Sequence, residues 1–241
     1  MDIDYSNYHR DKEYQENEKL FKNIFQKRYN IISRFTKNPR TVLDIGCSNG
    51  IFLDLYKNCE TWGVEPSENY KIAENKQSLP LGGKRHKIIN SYFESAKLPQ
   101  NYFDLIIMNH TLEHVKDAEI VLAKIYRLLK KNGILFIDVP NAGGLGSKLF
   151  GDKWPYKLPN EHTYQFTKES LSKLVTNTGF KVLHWESRSG LFELAEPLKE
   201  CLRSLFGLKK RFLVNFILFP YHLIVTLLNM GDSMSIVSRK N

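Results

Sequence analysis

The chain has 241 residues, 42% of them hydrophobic, and 35 Lys and Arg against 26 Asp and Glu give a net charge of +9. That length and apolar content predict one domain with a real core and exclude a disordered or low-complexity chain. The positive charge points to anionic partners, without separating nucleic acid, phospholipid and phosphorylated small molecules. Cys47, Cys59 and Cys201 lack metal-site or disulfide-framework spacing and read as free thiols. The N-terminal MDIDYSNYHRDKEYQENEK has no apolar signal-peptide core, so a cytoplasmic location is expected.

In residues 1–39, Leu20, Phe21, Ile24, Phe25, Tyr29 and Ile32 recur at helical spacing and predict a helical cover. Strand and helix signals then alternate. TVLDIG is a buried strand, Asn49 to Tyr56 begins a helix, and TWGVEP is a strand ended by Pro66, after which Ser67 caps a polar helix. HKIIN is a third strand and DLIIMN (104–109) a fourth, apolar enough to be covered on both faces. Asp117 opens a helix carrying Val121, Ile125 and Leu128, with Lys130 and Lys131 expected in its last turn and Gly133 ending it. GILFIDVP is the fifth strand. Thr167 caps a helix containing Leu171, Leu174 and Val175, and Gly179 follows it. FKVLHWES and SMSIVSRK are the sixth and seventh strands. This order predicts an α/β, Rossmann-like, seven-stranded and mostly parallel sheet with helices on both faces. One domain is expected throughout: cover 1–39, core 40–190 with a lid at 141–166, a helical insertion at 191–230 and a last strand at 231–241.

The stretch LDIGCSNG admits several chemistries. Gly46-Cys47-Ser48-Asn49-Gly50 fits the G-x-S-x-G elbow of serine hydrolases, but it follows the first strand and no oxyanion-hole loop precedes it. The dinucleotide pattern G-x-G-x-x-G fails, because Ser48 and Ile51 stand where glycines are needed. A third pattern fits: Asp44, Gly46, a small Ser48, Gly50, then Glu65 closing the next strand, 21 residues after Asp44, the separation of a ribose-binding carboxylate. Such a loop suits S-adenosylmethionine, which needs close backbone approach and acidic residues near its cationic groups rather than a dipole aimed at pyrophosphate.

With these residues in view, the chain resembles the class I S-adenosylmethionine-dependent methyltransferases from about residue 40 to 185. YFDLIIMNHTLEHVKDAEIVLAKIYRLLKKNGILFIDVPN is the most specific part and is similar to the subgroup of quinone-biosynthesis and bacterial surface-polysaccharide O-methyltransferases. KLFGDKWPYKLPNEHTYQFTKESLSKLVTNTGF adds a second match. The resemblance implies cofactor contacts from Asp44, Gly46, Cys47, Ser48, Gly50, Glu65, Pro66, Tyr92, Phe93, Asn109 and His110. Ser48 replaces the family's middle glycine, and NSYFES lacks the acidic residue that often follows the third strand, leaving adenine to backbone groups near Phe93.

His110, Glu113 and His114 spell H-x-x-E-H, an inverted zinc-protease motif, but its place after a parallel strand argues against a protease, and no metal is expected. A hydroxyl acceptor needs a base; His162 is the first candidate and His110 the second. Glu113, His114, Trp154, Tyr156 and Tyr164 are expected around the acceptor. Nucleic acid is not an expected partner: Asn109-His110-Thr111-Leu112 replaces the N-P-P-Y of amino-directed DNA enzymes, and there is no Pro-Cys nucleophile. The implied acceptor is a small or lipid-linked molecule, a saccharide before a quinone or phenol, with a binding protein without turnover as the third reading.

Residues 212–230 contain no Asp, Glu, Lys or Arg. SMSIVSRK follows directly and must return to the sheet, which argues against a crossing helix. Either a helical hairpin bent at Pro220 packs on the fold or closes a homodimer, or 209–230 lies on the inner face of a membrane with Lys209, Lys210 and Arg211 at head groups.

Overall fold

A computed structural model of the chain describes residues 16–75, 86–197, 199 and 217–241. Its sheet has seven strands in the order β3-β2-β1-β4-β5-β7-β6. In sequence these are β1 (Thr41–Ile45), β2 (Glu60–Val64), β3 (Lys87–Ile89), β4 (Phe103–Asn109), β5 (Leu129–Pro140), β6 (Phe180–Arg188) and β7 (Ser233–Lys240). Strands β1 to β5 are parallel, and β7 lies antiparallel between β5 and β6. The helices are α1 (Glu18–Ile32), α2 (Tyr70–Asn75), α3 (Ala118–Leu128), α4 (Leu145–Phe150), α5 (Lys168–Asn177) and α6 (Phe219–Leu227).

The central strands read as unbroken apolar runs because both faces are covered. Leu43, Ile45, Ile106, Met108, Leu135 and Ile137 share one core with Val121, Leu122 and Ile125 of α3 and Leu171 and Val175 of α5. The alternate residues Val42, Leu105, Ile107, Ile134 and Phe136 share the other with Phe25, Ile31 and Ile32 of α1. Each fully buried Leu, Ile or Phe contributes ~1.5–3 kcal/mol, so this two-sided burial is the main support of the sheet. Asp138 has the parity of Ile134 and Phe136 and therefore points to the α1 side.

The predicted α/β sheet is present, and the caps at Asp117 and Thr167 are as expected: Asp117 accepts from Ile120 N–H, and Thr167 forms a capping box with Ser170. Local readings need correction. The helix at Val121 stops at Leu128, and Lys130 and Lys131 lie in β5, because buried Leu129 already pairs with Phe103. Asn49 to Tyr56 holds one 3-10 turn, Leu53–Leu55, not a helix; Ile51, Phe52, Leu53 and Tyr56 are buried while Asp54 and Leu55 are partly exposed, which is too narrow a polar face for an amphipathic helix. Ser67 starts a turn, its hydroxyl accepting from Asn69 N–H, and the helix begins at Tyr70. Pro220 stands in the first turn of α6, where its missing N–H breaks no bond. The rest of the expected hairpin, like the segment before residue 16, lies outside the described residues.

Thr167→Ala removes the capping box of α5 and is expected to lower unfolding free energy by ~1 kcal/mol, measured by urea denaturation.

Candidate active site

Strand order reverses between β1 and β4, so the loops leaving their C-terminal ends open a crevice, the usual ligand position in such sheets. The two loops are stitched together there: Thr111 Oγ1 donates to Ile45 O at 2.9 Å. In the loop after β1, Gly46, Ser48 and Gly50 have φ of +76°, +46° and +75°. The positions marked as small in sequence are thus the left-handed ones. A Cβ on Gly46 would lie 2.5 Å from Thr111 Oγ1, so a side chain there would force the two loops apart.

Two buried carboxylates face this loop. Glu65 accepts from Ser48 N–H at 2.7 Å and from Ser67 N–H at 2.8 Å, one on each oxygen. Burial pushes its pKa up, against the pull of those hydrogen bonds. Each oxygen keeps a second lone pair for a further donor. Asp44 is completely enclosed, one of its oxygens has no hydrogen-bond partner among the described residues, and burial followed by repulsion from Glu65 raises its pKa well above the ordinary value. A cationic ligand would relieve that cost. Asn69 Nδ2 donates to Ser48 Oγ at 2.9 Å, so the Ser48 hydroxyl is tied to an amide, not to the imidazole a nucleophile needs.

Cys47 is buried, its sulfur filling the space beside Gly63, and Pro66 follows Glu65 at the rim. Tyr92 is half exposed, whereas Phe93 is buried, and Lys124 lies over its ring and binds its carbonyl. Asn109, at the end of β4, has a buried side-chain oxygen without a protein partner, a second polar atom suited to a ligand.

His110 has φ +52°, which turns its ring back over the sheet. Its Nδ1 lies 3.2 Å from Glu113 Oε1 and its Nε2 3.5 Å from Asp138 Oδ1. Both ring nitrogens thus lie against carboxylates, which fixes the orientation of the ring. Burial works against the Glu113 charge, but the His110 hydrogen bond and the imidazoles of His110 and His114 outweigh it and keep its pKa low.

His162, nearly buried, meets His114 edge-on with ring centroids 4.7 Å apart. His114 Nδ1 is 3.0 Å from Glu161 O; a carbonyl only accepts, so Nδ1 carries the hydrogen and a neutral ring has its lone pair on Nε2. Glu113, His114 and His162 each place a donor atom within 4.8 Å of the others, and among the described residues this is the group able to hold a divalent metal. His110 stands outside it.

The three lid aromatics are anchored rather than loose. Trp154 is buried and donates from Nε1 to Asp232 Oδ1 at 3.0 Å, with Tyr156 against its ring. The Tyr164 hydroxyl receives from Ala118 N–H and donates to Lys116 O, tying the lid to α3.

Sequence reasoning missed the ionic cluster beside His110. Asp138 receives hydrogen bonds from Arg188, Ser233 and Ser235, and Arg28 lies 3.4 Å away. Glu193 pairs with both arginines. Burial opposes the Asp138 charge, but Arg188 and Arg28 overcome it and hold the carboxyl well below its ordinary range. The signals were there: one acid inside the apolar run ILFIDVP, and Arg28 on the buried stripe with Phe25 and Ile32.

A family model described as "Methyltransferase domain" matches residues 13–185. The chain belongs to this methyltransferase family. It is 26% identical over 187 residues to the mitochondrial ubiquinone biosynthesis O-methyltransferase of Bos taurus, a match covering 67% of this chain and 50% of that one. The ubiquinone biosynthesis O-methyltransferase of Mesorhizobium japonicum is 25% identical, with coverage of 64% and 68%. The chain thus spans about half the length of its mitochondrial relatives. Among solved structures, a SAM-dependent methyltransferase from Archaeoglobus fulgidus has a TM-score of 0.61 at 22% identity, covering 94% of this chain and 99% of that one. Phosphoethanolamine N-methyltransferase 2 of Haemonchus contortus, solved with S-adenosyl-L-methionine, has a TM-score of 0.63 at 16% identity, with coverage of 99% and 60%. The fold is that of S-adenosylmethionine-dependent methyltransferases.

Asp138→Asn leaves Arg28 and Arg188 buried with Glu193 as their remaining shared counter-charge and is expected to cost ~3–5 kcal/mol in denaturant unfolding. In wild type, the depressed Asp138 pKa contributes stability above the unfolded value of ~3.9, lost as pH falls toward the folded value; the variant lacks that acid limb.

Proposed function

We propose that this methyltransferase transfers a methyl group from S-adenosylmethionine to a hydroxyl of a saccharide or lipid-linked glycan. The observation that carries the donor assignment is the loop of three left-handed residues closed by two buried carboxylates at the sheet's switch point. Gly46 and Gly50 would admit the donor's backbone-close parts, Asp44 would favour its positive charge, and Glu65 would hold its ribose. When bound, the donor supplies an electrophilic methyl carbon on a sulfonium. The chain then has to hold the acceptor oxygen in line and take its proton.

His162 is the base in this reading, and His114 and Glu113 are its neighbours. The polar lining, with Glu113, His114 and His162 together and Trp154 and Tyr164 spent on lid contacts, suits a polyhydroxyl acceptor better than a flat aromatic ring. His110, braced between Glu113 and Asp138, orients the turn after β4 and is the second candidate for the base. A quinone or phenolic acceptor is the second reading, favoured by the names of the ubiquinone O-methyltransferases at 26% and 25% identity.

In calorimetry, wild type is expected to bind S-adenosylmethionine with release of protons in mildly acidic buffer, because a cationic ligand lowers the raised pKa of Asp44. Glu65→Ala should weaken binding at least tenfold, ~1.4 kcal/mol. No binding by folded wild type would overturn the donor assignment.

His162→Gln is expected to lower kcat ~100-fold or more, with donor affinity kept and the basic-group ionisation missing from the pH–rate profile. A kcat within about threefold of wild type would remove His162 from the role of base. Lipid-linked sugars and demethylated quinones, offered in parallel, separate the two acceptor readings. Donor binding with methylation of neither marks a protein without turnover.

A further inference from the structure

Helix α6 is amphipathic in the wrong sense for a helix facing water. Its inner side holds Val225 with Thr226, which accepts from Ser189 N–H, and His222, whose ring lies against Gly190. Its outer side carries Ile217, Ile224, Leu227 and Leu228 at 71%, 53%, 72% and 63% exposure, with exposed Pro220 between them. A second apolar element adjoins it: Leu149 and Phe150 of α4 are 65% and 57% exposed. The two helices touch, since Leu145 N–H donates to Met230 O at 2.8 Å and the Tyr221 hydroxyl lies 3.2 Å from where a Gly146 Cβ would be. Exposed apolar side chains on two adjoining elements mark a contact site.

We infer that the α4–α6 face docks on an anionic lipid bilayer. Charge selects that occupant. Residues 217–230 carry no formal charge, while exposed Lys148 precedes Leu149 and Phe150, exposed Lys153 follows them after Asp152, whose carboxylate pairs with Lys157, and the chain as a whole carries +9. Lysines beside an apolar face match anionic head groups above acyl chains, whereas two copies meeting through that face would bring like charges together. Among the described residues no helix is long and apolar enough to cross a membrane, so the contact is with the surface.

The test is flotation of the full chain with vesicles of phosphatidylcholine alone or mixed with phosphatidylglycerol, without donor or acceptor. Wild type is expected to partition ~10-fold or more onto the mixed vesicles, and less at high salt. Ile224→Asp with Leu227→Asp, or Leu149→Asp with Phe150→Asp, should each cut binding about tenfold while leaving thermal unfolding and S-adenosylmethionine affinity unchanged. Lys148→Glu with Lys153→Glu should remove the preference for the anionic lipid. Absence of wild-type binding, or variants that bind as wild type does, overturns the proposal. A wild-type dimer in lipid-free sedimentation that these apolar substitutions dissociate would assign the face to a second copy and overturn it too. Because no acceptor is present, failure here leaves the methyl-transfer reading standing.

Discussion

The arrangement around the site depends on one buried charge. Asp138 lies in the middle strands of the sheet, wholly out of water, and its ionised form is tolerated only because Arg188, Arg28, Ser233 and Ser235 converge on it. Those partners come from β6, α1 and β7, so satisfying one carboxylate fixes the cover helix and the antiparallel edge against the central strands. Arg28 and Arg188 are also shared with Glu193, which makes the cluster close to neutral as a whole. Such a cluster adds little net stability over an apolar core, and its partial loss is costly. Its effect is to specify geometry, because only one docking of α1 and β6 leaves every charge opposed.

The donor loop follows the opposite rule. Asp138 is held ionised by its neighbours, but Asp44 and Glu65 are buried with no cationic partner among the described residues, and burial raises both of their pKa values. Above its raised folded pKa, such an acid opposes folding when ionised; below the unfolded value that penalty is gone. The protein therefore keeps two unfavourable carboxylates at the crevice between β1 and β4. Stability given up at such a place is recovered when a positively charged ligand binds the folded chain alone.

Lid and insertion are built onto the same end of the sheet. Asp232 receives Trp154 from the lid and Ser189 from the end of β6, and its own N–H donates to Ser189 Oγ. Residues between β5 and α5 and between β6 and β7 are thereby joined. His114 and Glu161 fasten the other edge of the lid to the turn after β4.

Periodicity and chain order were enough to read the sheet, because TVLDI, DLIIMN and ILFIDVP are covered on both faces and α3 and α5 carry their own caps. The left-handed loop after β1 was also legible, since positive φ at Gly46 and Gly50 is a local backbone demand written in the residue type. Element ends were not: Leu129 belongs to β5 only because Phe103 is beside it, and no local propensity contains that partner. Nor could local sequence pair Arg28 with Asp138, 110 residues apart, or bring His162 against His114. Sequence determined what depends on a residue and its near neighbours. Tertiary structure decided which charges face each other, because burial removes water and makes each distant partner the condition for the next.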